Sequence, residues 1–331
     1  MGSVRHSVKV HCVWTRNLDV PCSAGRLKIA RNIRSSLNGS RHPPVHHVMD
    51  TVLERWRPLD LARAATDGVR HRLPLQTWLF NTTENRRLAE TIPASTDAVY
   101  LDGIRTVRIL ERLRQRLPKA RLVIDFDDLM SRRTEAPMAA SEGLSPGYLT
   151  EMLPRWSRRL APTAGTGLRY ERHALRRWEM RPCELADDVV LLSPVEAEML
   201  QSRLLPTARA TARVVPPPET IVREPQTLRA PLRFVFIGMD TLTQNRLAID
   251  YLLDLWRRLS PIIPLHIFGK MRRQQRAPRN VMFRGYAGDL AEVYDQHSVL
   301  LSPVLLRGSI KTKVLEAFAW GTTGQGQRRY L

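Results

Sequence analysis

Short apolar runs alternate with longer amphipathic stretches along most of this chain, and many of the runs end in glycine, serine or an acid. The pattern begins with SVKVHCVW (7–14), followed by RLKIARNIRSSL, in which Leu27, Ile29, Ile33 and Leu37 fall roughly on one helical face. VHHVM (45–49), AVYLDG (98–103), RLVIDFDD (121–128) and DVVLLSP (188–194) continue the series, and ARVVPPP (212–218) closes it. It restarts at LRFVFIGM (232–239) and runs through PLHIFGK (264–270), VMFRGY (281–286) and SVLLSP (298–303). Helices are expected at 104–116, after 194, at 244–259, at 288–296 and at 310–320. Strand–helix alternation of this kind predicts parallel sheets covered by helices. Ligands of such sheets sit at the carboxyl ends of strands. The positions to inspect are therefore Gly25, Asp102, Asp125 to Asp128, Ser193, Gly238, Gly269 and the turn at Gly308.

At 331 residues the chain is long enough for two domains, and 43% apolar content supports a packed core rather than disorder. Pro216-Pro217-Pro218 and the polar stretch behind it read as a stiff linker, 216–230. The expected domains are 1–215 and 231–322, with a basic helical insert at 131–183 in the first. Three scattered cysteines, Cys12, Cys22 and Cys183, give neither a disulfide framework nor a zinc site, and imply a reducing compartment. No run of about 18 apolar residues is present to span a membrane. The net charge of +20 favours polyanionic partners: phosphate-bearing ligands, anionic lipid or nucleic acid. Only six of the 52 basic residues are lysine, a skew typical of coding bias. In the insert, Tyr170, His173, Ala174 and Trp178 form one stripe of an arginine-rich helix. That helix either lies on an anionic membrane or packs on its own domain with a solvated basic face.

The segment RGSIKTKVLEAFAWGT (307–322) reads as a loop running into a helix. A helix amino end presents unpaired N–H groups and partial positive charge, so it takes phosphate readily. Gly308 and Ser309 permit close backbone approach, and Lys311 and Lys313 add charge. Glu316, one turn in, is placed to accept from ribose hydroxyls; a capped surface helix with a Lys313–Glu316 pair is the alternative. At the end of RLVIDFDD, Asp125, Asp127 and Asp128 crowd one strand end and call for a balancing cation, for which Arg132 and Arg133 are the nearest in sequence. Asp125 or Asp128 would meet an acceptor hydroxyl as base or orienter. The alternative is an acid capping the next turn. Gly25 opens the first helix, and Arg26 and Lys28 beside it serve an acceptor phosphate or are solvated. His11, His46, His47 and His297 have no metal spacing and read as structural.

SPVLLRGSIKTKVLEAFAWGT resembles the donor-binding segment of family 4-type glycosyltransferases, of the GT-B fold. So do FVFIGMDTLTQNRLAIDYLLDLW, HIFGK and VMFRGYAGDLAEVYDQHSVLLSP before it, in the family's order, and PCSAGRLKIARNIRSSL and VIDFDDLMSRR in the first half. The resemblance implies an α/β protein of two Rossmann-like domains with parallel sheets. It implies transfer of a sugar from a nucleotide-sugar donor to a polysaccharide or lipid-linked acceptor. The transfer would be retaining, need no metal or cofactor, and take place in the cytoplasm, including the inner face of the plasma membrane. Gly238, Asn245, Gly308, Ser309, Lys311, Lys313 and Glu316 would hold the donor; Gly25 and Arg26 would face the acceptor; Asp125 and Asp128 would be catalytic. Gly308 stands where the family's E-x7-E pattern has its first acid. The family continues A-W-G-T with P-V-V, a buried strand, where this chain reads TGQGQRRYL. The resemblance thus implies a second domain left incomplete, a tail at 323–331 outside the design, and a catalyst impaired by truncation. A non-catalytic polyanion- or nucleic-acid-binding protein, or an inactive remnant of the family, are the alternatives; no specific nucleic acid is expected.

Overall fold

Among the described residues of the computed structural model every strand pair is parallel, in two sheets. The structure describes residues 8–20, 25–52, 58–132, 164–272, 276–305 and 310–326. These divide into two units, one ending at Pro217 and the other beginning at Pro218.

The first unit contains β1 (Val10–Trp14), α1 (Gly25–Asn38), β2 (Val45–Val48), α2 (Pro58–His71), α3 (Leu75–Trp78) and α4 (Thr83–Thr91). It continues with β3 (Ala98–Asp102), α5 (Val107–Arg116), β4 (Arg121–Asp127), α6 (Ala164–Trp178) and α7 (Arg181–Leu185). It ends with β5 (Asp188–Leu191), α8 (Pro194–Gln201) and β6 (Thr211–Val214). The strand order is β2-β1-β3-β4-β5-β6, so the direction of winding reverses between β1 and β3. A crevice is expected there, at the strand carboxyl ends. Helices 58–91 were not foreseen. α2 carries mostly polar and small residues, and Gly68 is what lets it dock: a Cβ there would lie 2.1 Å from the Trp78 ring. Trp14, Cys12, Leu18, Leu27 and Ala30 form the cluster that fixes α1 on β1.

The arginine-rich helix of the insert is α6, and its apolar stripe packs on its own unit. Ala174, Leu175 and Trp178 are buried; the Trp178 indole donates to the Arg72 carbonyl, Tyr170 to the Leu73 carbonyl, and Glu171 accepts from the Leu75 amide. His173 faces solvent rather than joining the stripe. Trp178 is therefore not available for insertion into a membrane. Trp156 lies outside the described residues. No helix among the described residues is long and apolar enough to cross a membrane.

The second unit contains β7 (Arg233–Ile237), α9 (Thr243–Leu259), β8 (Leu265–Phe268), β9 (Val281–Gly285), β10 (Ser298–Ser302), α10 (Thr312–Ala319) and β11 (Thr323–Gly326). Its order is β11-β10-β7-β8-β9, reversing between β7 and β10. α9 covers one face through Ile249, Leu252, Leu253 and Trp256 against Phe236, Leu265 and Ile267. Val235, Phe268, Tyr294, Leu300 and Ala317 pack the other. The helix expected at 288–296 is only a single 3-10 turn, Leu290–Glu292. The polar stretch behind the proline run lies along this unit: Val222 and Arg223 donate to the Ala319 carbonyl, and Gln226 to that of Gly321.

One expectation is overturned. The sheet is not left short after Thr322, because Thr323–Gly326 pairs in parallel along β10, from Val299↔Thr323 to Ser302↔Gly326. Strand pairing uses backbone N–H and C=O groups, so a sequence without apolar side chains can fill an edge position that a buried strand would fill in the family pattern.

Three histidines join β2 to β1. His11 Nδ1 lies 2.9 Å from His47 Nε2, and the Trp14 indole donates to His46 Nδ1 at 3.0 Å, which leaves His46 Nε2 to donate to Asn38. His46 needs an unprotonated Nδ1 to accept from Trp14, and one of His11 and His47 must accept from the other; burial, with Arg34 beside His46, lowers the pKa of each. Lowered histidine pKa values contribute stability above the unfolded value of about 6.5, lost as pH falls below it. Buried Glu179 and Glu196, both raised to about 7, act in the opposite sense. The histidine contribution is therefore read by difference. Between pH 7.5 and 5.0 the wild type should lose more thermal stability than a His11→Asn/His47→Asn double variant, by up to about 1.4 kcal/mol per unit of pKa shift. Equal losses would show that the histidines do not hold β2.

Candidate functional site

In the second unit the chain leaves β7 at Ile237 and passes through Gly238 into the loop before α9. Gly238 leaves room for Asn245: a Cβ there would sit 2.7 Å from Asn245 Nδ2. Its carbonyl also meets Gly269, whose φ of 129° and lack of a side chain allow the approach. Asn245, held against Gly238, donates to the Met239 carbonyl at 3.1 Å and accepts from Lys313 Nζ at 3.2 Å. Lys313 Nζ also donates to the Ile237 carbonyl at 2.8 Å and lies 4.2 Å from the centre of the Phe236 ring. Burial pushes the Lys313 amine down to about 7; Lys311 adds to this, and Glu316 opposes it. The ring face favours the charged amine, by about 0.5–2 kcal/mol, which is smaller than the cost of taking an ammonium out of water.

Lys311 occupies the position before α10, where no side chain caps the helix and no acid lies in the first turn. Its amino end is therefore left with donor groups and uncompensated positive charge. Gln244, Asn245, Ser302, Pro303, Lys311 and Lys313 line a shallow, open cleft at this point, where the winding reverses. Glu316, one turn along α10, accepts from the Tyr294 hydroxyl at 3.3 Å. Gly308 and Ser309 lie outside the described residues. The structure thus brings Gly238, Asn245, Lys311 and Lys313 together around one cleft, with Glu316 one turn behind. Lys313 is turned inward to the sheet rather than outward to solvent.

In the first unit the carboxyl ends of β1, β3 and β4 converge on Arg26, in the first turn of α1. Its guanidinium lies 2.7 Å from Asp102, 3.3 Å from Asp125 and 3.2 Å from Asp127. Asp102, fully buried, also accepts from the Thr15 amide and hydroxyl and from Arg16. Burial alone would raise its pKa, but Arg16, Arg26 and Thr15 override that and hold it well below the usual range. Asp125 is 1% exposed and accepts from Tyr100, Arg26 and the Asp127 amide. The crowded acids are therefore balanced by Arg26. Arg132 instead donates to Met199 Sδ at 3.3 Å, and Arg133 lies outside the described residues. Arg26 is not a solvated surface cation. Asp127 adopts a left-handed backbone (φ 66°) at a register shift against β5, and its side chain stays 16% exposed. Burial and the neighbouring Asp128 raise its pKa well above normal, against the pull of Arg26. Asp128 is half-buried beside it. No group of three or more His, Cys, Asp or Glu among the described residues is arranged to hold a metal ion.

Sequence reasoning missed Phe236, Tyr100 and Tyr294 as site neighbours. Each is an ordinary core aromatic by pattern, and only the packing shows that its ring or hydroxyl meets a charged group.

Removing Arg26 would leave the buried carboxylates of Asp102 and Asp125 without their shared cation, and breaking such a buried pair costs about 3–5 kcal/mol. Urea unfolding of Arg26→Met should show a loss of that size. A loss under about 1 kcal/mol, the value of an exposed pair, would contradict the arrangement.

Residues 231–323 match the family model for glycosyl transferases group 1. No curated protein matches the chain. Among solved structures it is similar to sucrose-phosphate synthase (tll1590) from Thermosynechococcus elongatus, with a TM-score of 0.59 and 14% identity over 96% of this chain and 81% of that one. It is similar to trehalose-6-phosphate from E. coli bound with UDP-2-fluoro glucose, with a TM-score of 0.51 and 11% identity over 96% and 83%. It spans 44% of the length of the TarM structure, with a TM-score of 0.49 and 10% identity over 74% of this chain. At these identities the likeness is one of fold, and it agrees with two α/β units built on parallel sheets. The chain therefore has the GT-B fold, and its residues 231–323 are similar to the group 1 glycosyl transferase domain.

Proposed function

We propose that this protein transfers a sugar from a nucleotide-sugar donor to a saccharide or lipid-linked acceptor. The observation that carries the reading is the cleft between β7 and β10, where Lys311, Lys313, Asn245 and the uncapped amino end of α10 converge inside the group 1 domain. The donor diphosphate lies at the helix end, where backbone N–H groups and two amines meet its charge. Glu316 takes the ribose hydroxyls. As the sugar–phosphate bond breaks, negative charge grows on the leaving diphosphate, and donors already in place there stabilise it without reorganisation. The E. coli neighbour holds UDP-2-fluoro glucose, which supports a nucleotide-sugar as the ligand class.

On the acceptor side, the reading assigns the hydroxyl to the strand-end acids of the first unit. Asp125 is buried among its own partners, so Asp128 is the better-placed base and Asp125 an orienting group. Gly25 opens α1 beside them, and Arg26 serves this end of the sheet through its carboxylates. The transfer is retaining and uses no metal, and the protein works in the cytoplasm, including at an anionic membrane face; these points follow the family resemblance.

Donor hydrolysis tests the site directly. A charge-assisted hydrogen bond is worth about 1.5–3 kcal/mol, so Lys311→Ala should lower kcat/KM for the best donor by about 10- to 100-fold. Glu316→Ala should act mainly on KM, because ribose contacts are made equally in ground and transition states. Unchanged kinetics in both variants would remove the assignment.

A further inference from the structure

Two buried glutamates meet the loop that follows β4, beside Asp128, and what they do there bears on its assignment as the acceptor base; the inference rests on that reading. A helical turn begins just behind Asp128, at Met130. The first amides of a helix have no partner inside it. An acid placed just before such a turn ordinarily takes one of them, two or three positions on. Three positions on from Asp128 is Ser131, and its amide goes elsewhere. It donates to Glu179 Oε1 at 2.7 Å, while the Ser131 hydroxyl donates to Glu179 Oε2 at 2.5 Å. The Leu129 amide goes to Glu196, in the first turn of α8.

Glu179 is 48 positions from Ser131 and is 2% exposed. It follows the last residue of α6, and its own amide still donates to the Leu175 carbonyl at 2.8 Å. That helix end is fixed by Trp178, whose indole donates to the Arg72 carbonyl. The carboxylate therefore comes from a rigid element, and both of its oxygens are used on one serine. Burying a carboxylate is costly, and packing alone does not call for one. What it supplies here is the cap that the strand-end acid would otherwise give.

We propose that Glu179 is a positioning residue for Asp128: by taking the Ser131 amide it keeps the Asp128 carboxylate from turning back onto that turn, and so holds it towards the acceptor at the end of β4. Glu196, on the Leu129 amide, fixes the other side of the same loop. Without Glu179 the Ser131 amide is left buried and unpaired, a costly state, and the nearest carboxylate in sequence is that of Asp128. The two acids thus divide the work: the buried one closes the turn and the more accessible one meets substrate. Side chains at 179 are sharply distinguished by this role. Glutamine keeps a carbonyl oxygen for the amide and a polar group for the hydroxyl, whereas alanine keeps neither.

The experiment measures hydrolysis of UDP-glucose and of GDP-mannose by the full chain, with water as the acceptor. The variants are Asp128→Asn, Glu179→Ala, Glu179→Gln and the Asp128→Asn/Glu179→Ala double variant. Asp128→Asn should lower kcat by about 100-fold, as loss of a general base does. Glu179→Ala should lower kcat by about 10- to 100-fold through misplacement of that base, with KM little changed, and Glu179→Gln should recover most of the loss. The double variant should be no slower than Asp128→Asn alone, because Glu179 acts through that carboxylate; a merely structural glutamate would add its own loss. If Glu179→Ala does not fold, Glu179→Asp, which draws the carboxylate back by one methylene, takes its place in the cycle. Losses that multiply, or an unchanged kcat in the Glu179 variants where Asp128→Asn is slow, would overturn the inference and leave Asp128 standing as the base. An unchanged kcat in Asp128→Asn, or no hydrolysis of either nucleotide-sugar by the wild type, would remove the reading beneath it, and the inference with it.

Discussion

Parallel pairing is the constraint on which the rest of this molecule depends. When neighbouring strands all run the same way, their carboxyl ends emerge along one edge, and every strand-to-helix loop of a unit opens on that edge. Where the winding reverses, adjacent loops diverge and a crevice forms. Both sheets have one such point, between β1 and β3 and between β7 and β10. Polar groups that would be costly in the interior are collected there, and what each crevice can do follows from the residues its strands happen to end in.

The two crevices are furnished with opposite charge. Between β1 and β3 the strand ends supply carboxylates, and Arg26 from α1 enters among them. One guanidinium serves three carboxylates: Arg26 donates to Asp102 and Asp125 and forms an ion pair with Asp127. The result is an acid-rich edge whose buried members, Asp102 and Asp125, are fixed, and whose outer members, Asp127 and Asp128, stay partly accessible. Between β7 and β10 the strand ends supply carbonyls, a glycine and a serine, and the charge comes from α10 as two amines on an uncapped helix end. The proposed function assigns the acceptor hydroxyl to the first edge and the donor phosphate to the second.

Much of this was legible in the sequence. Apolar runs of strand length placed nearly every strand, because a strand buried on both faces reads as a continuous apolar run. The strand-end positions of Asp102, Asp125 and Gly238 followed from that placement alone. What was not legible depended on contacts between distant segments. Arg26 and the β4 acids are about a hundred positions apart, so the cation sought nearby at Arg132 was found on α1 instead. α2 to α4 escaped notice because their packing relies on small residues such as Gly68 rather than on an apolar stripe. β11 was misjudged because edge pairing along β10 is made by the backbone, and TGQG offers no side-chain signal for it. The orientation of Lys313 was equally invisible: a lysine beside a helix start reads as an outward charge, and its inward course is set by Asn245 and Phe236.

The central claim is that the β7/β10 cleft holds the diphosphate of a nucleotide-sugar. Hydrogen–deuterium exchange of the full chain, with and without saturating uridine or guanosine diphosphate, tests it most directly, because the helix-end amides that would bind phosphate are themselves the reporters. The account predicts slowed exchange concentrated in two segments, 237–246 and 310–317, with residues 98–128 unchanged. Protection confined to the first unit, or none in either segment under conditions where the nucleotide binds, would contradict it.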